Sequence, residues 1–359
     1  MTATASSRPA GPIDCDIHLP LPSIADLMPY LDPHWRDSVV ARGIDGFDLA
    51  SYPRNAPISC RPDWRQAAGN ALETLRRQAL GPWDTRYAIC NCLHGAMAAF
   101  GEDLAAALVS AVNDWVAREW LDNEPRLRGS ILLPIRSPAL SVREIERVAG
   151  DRRFVQVLLP VSAAMPLGRR DYWPIYEAAA RHGLPIGIHA GSIYHHPLTP
   201  SGWPSYYVED YVSQAQAFQN QLISLIAEGV FVKFPSLRVV LIESGFTWLP
   251  SFLMRADKTW RGLRSEAPWL DRLPSAYVRE HVRMTLQPVD APPDPAQLRK
   301  VFELTDSDRT LLFSTDYPHW QFDGDGAIPQ GMSAELIRRI GHDNPLETYP
   351  RLQESGPWT

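Results

Sequence analysis

Ile13-Asp14-Cys15-Asp16-Ile17-His18 is a mostly apolar run that carries carboxylates and ends on an imidazole. Three later stretches end in the same way: Pro185-Ile186-Gly187-Ile188-His189, Val239-Val240-Leu241-Ile242-Glu243 and Leu311-Leu312-Phe313-Ser314-Thr315-Asp316. A carboxylate or imidazole at the end of a buried strand loses its hydration, which is costly unless a partner or a metal compensates. Four such endings spread along the chain predict strands of one barrel that aim their last residues at a common point. Asp16 and His18 are two residues apart, so on a strand their side chains share a face; Asp14 has the same phase and lies deeper.

Working outward, apolar runs at 13–18, 86–92, 127–134, 154–161, 185–191, 238–245, 281–287 and 310–316 read as strands. Amphipathic stretches at 101–121, 138–150, 171–183, 211–229, 247–264 and 294–303 lie between them. Near-continuous apolar strands alternating with helices predict a parallel sheet covered by helices. Eight such units predict an α/β fold of the (β/α)8 TIM-barrel type, and no G-x-G-x-x-G turn follows the first strand to support a dinucleotide fold. We therefore expect a disordered lead-in over residues 1–12, a single metal-dependent TIM-barrel domain over 13–344, and a C-terminal tail over 345–359. Two connections, 43–66 after strand 1 and 192–210 after strand 5, are too long for simple loops and are expected to be lid insertions. Both leave the barrel face on which such folds keep their chemistry.

The composition narrows the partners. The formal net charge is −6 over 359 residues, with acidic and basic residues interspersed. No basic stripe suited to nucleic acid is present, and no apolar stretch is long enough to span a bilayer. The first twelve residues lack the apolar core of a secretory signal. The four cysteines form no C-x-x-C pair and read as reduced core thiols. These features predict a cytoplasmic protein that acts on a small molecule.

Carboxylate and neutral imidazole together suit Zn, Mn, Fe or Co. The expected metal ligands are Asp16, His18, His189, Glu243 and Asp316, with His195 and His196 available from the second lid. Glu243 and His319 are the candidate catalytic groups. His94, Trp203, Tyr206, Tyr207 and Trp320 are candidates for the substrate pocket. Three carboxylates and three or more imidazoles exceed what one tetrahedral ion needs, which suggests a dinuclear centre.

Asp16-Ile17-His18, Gly187-Ile188-His189-Ala190-Gly191, Phe234-Pro235-Ser236-Leu237-Arg238-Val239-Val240-Leu241 and Ser314-Thr315-Asp316-Tyr317-Pro318-His319 together resemble the amidohydrolase superfamily. The likeness is to its branch related to aminocarboxymuconate-semialdehyde decarboxylase, and it extends over nearly the whole chain. That resemblance implies a TIM barrel with a divalent metal on Asp16, His18, His189 and Asp316. Two positions depart from the pattern: Asp16 stands where the first strand usually has His or Glu, and Glu243 stands where strand 6 usually has His. The site pattern also resembles an oxygen-activating offshoot that includes a diterpenoid hydroxylase and a 2-aminoisobutyrate hydroxylase.

The preferred expectation is a dinuclear non-heme iron monooxygenase that hydroxylates an aliphatic C–H bond, with two Fe, or Fe with Mn or Co. One alternative is a mononuclear Zn or Mn hydrolase or decarboxylase using Glu243 as general base. Another is a non-catalytic metal-binding subunit of a paired barrel. The substrate is expected to be hydrophobic or carboxylate-bearing. The chain is expected to form a homodimer or to pair with a second barrel subunit.

Overall fold

Eight parallel strands lie in sequence order around one sheet: β1 (Ile13–Ile17), β2 (Tyr87–Cys90), β3 (Leu127–Leu132), β4 (Phe154–Pro160), β5 (Ile186–His189), β6 (Val239–Ile242), β7 (Val282–Thr285) and β8 (Leu311–Leu312). The structure is a computed structural model, and it describes residues 11–47, 71–191, 197–290, 292–319 and 326–353. Backbone bonds close the sheet between its first and last strands: Cys15 N donates to Phe313 O at 2.9 Å, Asp316 N to Asp16 O at 3.0 Å and His18 N to Tyr317 O at 2.7 Å. The barrel expected from sequence is therefore the observed fold.

The strands are buried throughout apart from Tyr87, as the unbroken apolar runs require when both faces are covered. Helices cover the outside: α1 (Pro33–Arg42), α2 (Glu102–Trp115), α3 (Pro138–Val148), α4 (Trp173–Arg181), α5 (Tyr207–Ala227), α6 (Leu249–Leu263), α7 (Pro274–His281) and α8 (Pro295–Leu304). Proline at the start of α1, α3, α7 and α8 presets the backbone where no N–H partner is needed. No helix among the described residues is long and apolar enough to cross a membrane.

Residues 345–353 of the segment expected as a tail are instead part of the packed body, and 354–359 lie outside the described residues. Asn344–Thr348 and Pro350–Gln353 are helical, and Tyr349 and Arg351 are buried. Arg351 Nη1 donates to Phe154 O at 2.8 Å and Nη2 to His182 O at 3.0 Å, which ties this segment to β4 and to the turn after α4. Proline content alone suggested a tail; the buried residues Tyr349, Arg351 and Leu352 are what give the segment a core side. Residues 1–10 of the lead-in expected over 1–12 and most of the first lid lie outside the described residues, as do residues 192–196 of the second. The rest of the second connection carries a small Thr199–Gly202 bridge and then joins α5.

Candidate metal centre

The ends of β1, β5, β6 and β8 meet on one face of the barrel. His18 Nε2 lies 3.2 Å from Asp316 Oδ1 and 3.7 Å from Asp16 Oδ1. His189 Nε2 lies 3.5 Å from Asp16 Oδ1, and its Nδ1 is 3.7 Å from Glu243 Oε2. His319 Nδ1 is 3.0 Å from Asp316 Oδ1, and its ring is 4.5 Å from that of His18. Donor atoms fall into two groups, each with all its members within 4.8 Å of one another: Asp16, His18 and His189, and His18, Glu243, Asp316 and His319. His18 belongs to both.

Local backbone geometry produces this convergence. Glu243 directly follows β6 and Asp316 lies four residues beyond the end of β8, and both adopt left-handed conformations, with φ +57° and +56°. Such a conformation costs roughly 1–2 kcal/mol for a residue with a Cβ. It turns each carboxylate away from the strand path. Glu243 N is held by Thr285 Oγ1 at 2.9 Å. Asp14, on β1, accepts from Thr315 N at 3.0 Å and from the Thr315 hydroxyl at 2.6 Å, which fixes the residue before Asp316. Tyr211, on α5, donates its hydroxyl to Glu243 Oε1 at 3.3 Å.

Asp16 is oriented from within the barrel. Asn91 Nδ2 donates to Asp16 Oδ1 at 2.8 Å. Asn91 Oδ1 in turn accepts from Ser130 Oγ at 2.7 Å and from Gln156 Nε2 at 3.0 Å. Gln156 Oε1 accepts from the Tyr349 hydroxyl at 3.2 Å. Gly187 leaves room for this chain of bonds, because a Cβ there would come within 2.9 Å of Gln156 Oε1.

Two buried atoms at the centre have no hydrogen-bond partner: Asp16 Oδ2 and His189 Nε2. Buried polar groups are nearly always satisfied, so an acceptor oxygen and an imidazole nitrogen left bare on two residues of one donor group fit a cation. His189 Nδ1 donates to Ala190 O at 2.7 Å, so Nε2 is the ring nitrogen left for a cation.

The electrostatics describe the same need. Burial, and then the Asp316 carboxylate, push Glu243 up to about 8. Burial also works to raise Asp316, but His319 and His18 outweigh it and hold this carboxyl well below the usual range. The pair thus keeps one negative charge, on Asp316. Burial works to lower His189 and His319, yet Asp16 and Asp316 respectively outweigh it and bring both imidazoles to about 9. For His18 burial prevails, reinforced by His319, and the imidazole is lowered.

The remaining expected residues divide. His195, His196 and Trp320 lie outside the described residues. His94 is buried but belongs to neither donor group; its Nδ1 accepts from Ala96 N at 3.1 Å and so caps the short helix Gly95–Ala98. Burial lowers this imidazole to about 4. Trp203 and Tyr206, expected at the pocket, are 54% and 71% exposed, because they precede α5 at its solvated polar end. Tyr207 packs on Tyr211, with ring centroids 5.9 Å apart, and the second of these tyrosines is the one that reaches Glu243. Sequence reading missed Asn91, Thr285 and Tyr211. Asn91 was within reach, since it ends the apolar run Ala88-Ile89-Cys90 as His189 ends its own.

Comparison with known proteins adds the following. The family described as Amidohydrolase matches residues 13–351. A gamma-resorcylate decarboxylase from Polaromonas sp. (strain JS666 / ATCC BAA-500) is 29% identical over 157 residues, which cover 40% of this chain and 46% of that protein. The match thus spans less than half the length of that curated relative. An amidohydrolase from Mycobacterium avium subsp. paratuberculosis K-10 superposes with a TM-score of 0.71 at 20% identity, covering 95% of this chain and all of the other. A dihydroxybenzoic acid decarboxylase from Polaromonas sp. JS666, solved with bound manganese and the inhibitor 2-nitroresorcinol, gives 0.65 at 20% identity over 96% and 98% of the two chains. At these identities the structural likeness establishes the fold.

Proposed function

We propose that this chain, which belongs to the amidohydrolase family, is a divalent-metal-dependent decarboxylase of a small aromatic acid. The observation that carries the reading is the convergence of Asp16, His18 and His189, with Asp16 Oδ2 and His189 Nε2 bare and buried. The decarboxylase relatives support it, one of them with manganese bound. They favour the mononuclear decarboxylase alternative over the iron monooxygenase that the surplus of ligands first suggested.

Asp16, His18, His189 and Asp316 would hold the ion, which supplies fixed positive charge against the oxygens of an acidic substrate. Glu243 then serves as proton donor, because burial and Asp316 keep its carboxyl protonated near neutrality. Its proton goes to the ring carbon that bears the carboxylate. The bond from that carbon to the carboxyl breaks, its electron pair restores the aromatic ring, and carbon dioxide leaves. Glu243 ends as a carboxylate and regains a proton through His319, whose imidazolium stands next to Asp316. Tyr211 holds the Glu243 carboxyl in place from α5.

A second reading rests on one observation. The two donor groups share His18 and together hold three carboxylates and three imidazoles, a set large enough for two ions and oxygen chemistry. The substitution E243Q separates the two. For the decarboxylase, metal content stays the same and carbon dioxide release from hydroxybenzoates slows by about 10²–10⁴-fold. Loss of one metal per chain, or iron with dioxygen consumption in the parent protein, would sink the decarboxylase reading.

A further inference from the structure

The opposite face of the barrel carries a cleft in which arginines outnumber carboxylates. A cavity of about 450 Å³ is lined by Arg238, Arg279, Arg283 and Arg309, with Glu280, Glu347 and Ala276. Arg238 directly precedes β6, Arg283 is the second residue of β7, and Arg309 stands two residues before β8. These are neighbouring parallel strands, so the three guanidiniums come from adjacent N-terminal strand ends.

The carboxylates around the cleft are already engaged. Glu280 pairs with Arg272 at 2.7 Å, Asp306 with Arg279 at 2.7 Å and Glu347 with Arg339 at 3.1 Å. Among the described residues Arg238, Arg283 and Arg309 make no ion pair. Arg283 is only 6% exposed, and all its side-chain hydrogen bonds leave from Nη1, the shortest to Val282 O at 2.8 Å. A purely structural role as a cap on strand-end carbonyls accounts for that one nitrogen and leaves the rest of the fork without a protein acceptor. Burial, and then the charges of Arg238 and Arg309, lower this guanidinium to about 10. Like charges are thus held together in a chain whose overall charge is −6, which makes the cleft a local exception in sign.

We propose that this cleft binds an oxyanion, a phosphate or carboxylate head group of a small metabolite, between Arg238, Arg283 and Arg309. Guanidinium forks match both head groups in bidentate geometry. A neighbouring hollow of about 190 Å³ shares Arg238 and Glu347 and is lined by Leu184, Pro185, Leu237 and Pro350, which offers space for an apolar body next to the charged head. The site is independent of the metal centre at the other end of the strands, and of what that centre catalyses.

The test uses the full-length, metal-loaded protein with inorganic phosphate and with citrate as probes, and sodium chloride at matched ionic strength as reference. Thermal unfolding and titration calorimetry should show saturable binding beyond the salt effect, since a ligand that binds only the folded state raises its stability. Affinity should fall at least tenfold in the double variant R238Q/R309Q, whose side chains reach solvent, while metal content stays unchanged. Saturation by phosphate alone assigns a phosphate head group, and saturation by citrate alone a carboxylate one. R283Q probes the buried fork, and the double variant decides the matter if R283Q does not fold. No response beyond sodium chloride, or equal affinity in the double variant, overturns the proposal; the second result would place the bound anion elsewhere, the metal centre included.

Discussion

Asp16 owes its orientation to a single side-chain donor. Asn91 donates to Oδ1, the oxygen that also lies 3.7 Å from His18 Nε2 and 3.5 Å from His189 Nε2, while Oδ2 is buried without a hydrogen-bond partner. A carboxamide can donate to a carboxylate in this way, and its own oxygen is pinned by Ser130 and Gln156. Groups that orient a metal ligand typically contribute 10–100-fold to affinity. We therefore expect N91A to weaken manganese binding by about that factor in calorimetric titration of stripped protein. If the affinity holds while thermal stability drops, Asn91 is only a packing residue. Its role was readable from its strand-end position. That of Tyr211 was not, because nothing in an amphipathic helix pattern says which polar residue reaches across to a strand.

At the scale of elements, every strand lies where the apolar runs placed it, and all eight end earlier than the runs do. The expected strand at 310–316 keeps only Leu311–Leu312 in the ladder. Phe313 N bonds Ile340 O at 2.8 Å, and Asp316 turns into the left-handed region to face the cluster. The strand at 238–245 likewise stops at Ile242, one residue before Glu243. Hydrophobicity continues past the last ladder bond, so it cannot mark where the backbone departs to deliver a ligand. The connection from α2 to β3 shows a different kind of fastening. Glu124 accepts from Arg76 Nε and Arg126 Nε, both at 2.7 Å. Burial works to raise its carboxyl, yet these hydrogen bonds outweigh it and hold it down at about 2, against an ordinary 4.5. A depressed carboxyl stabilises the fold above its unfolded value, and that contribution is lost as pH falls from about 4.5 toward 2. Both arginines are about one-third exposed, so solvent screening limits the contribution to about 1–2 kcal/mol. E124Q should be less stable than the parent by that amount at pH 7 in urea unfolding, with the gap closing between pH 4.5 and pH 2. A gap independent of pH would show that charge is not what Glu124 contributes.

At the scale of the whole molecule, a line of buried polar groups runs from the metal centre down the barrel interior to the C-terminal segment: Asp16, Asn91, Gln156 and Tyr349. The barrel itself was legible because eight apolar runs alternate with amphipathic ones. The closure of its lower end was not, since short helices with two prolines carry no periodic signal. The structure makes that segment a floor. Arg351 supplies bonds to Phe154 O and His182 O from a buried position, and Tyr349 meets Gln156. Removing the Arg351 guanidinium leaves those buried carbonyls unsatisfied, at about 1–3 kcal/mol for each group that water cannot reach. Y349F deletes one neutral hydrogen bond and should cost about 1 kcal/mol. We therefore expect R351M to lower the denaturant midpoint by several times the shift of Y349F, with the slope of the transition unchanged. Manganese affinity of the folded protein should stay within about twofold in Y349F, because Ser130 and Gln156 still hold Asn91 when the last link is gone. A loss of affinity in Y349F as large as that in N91A would mean that the floor, through the interior line, sets the position of Asp16.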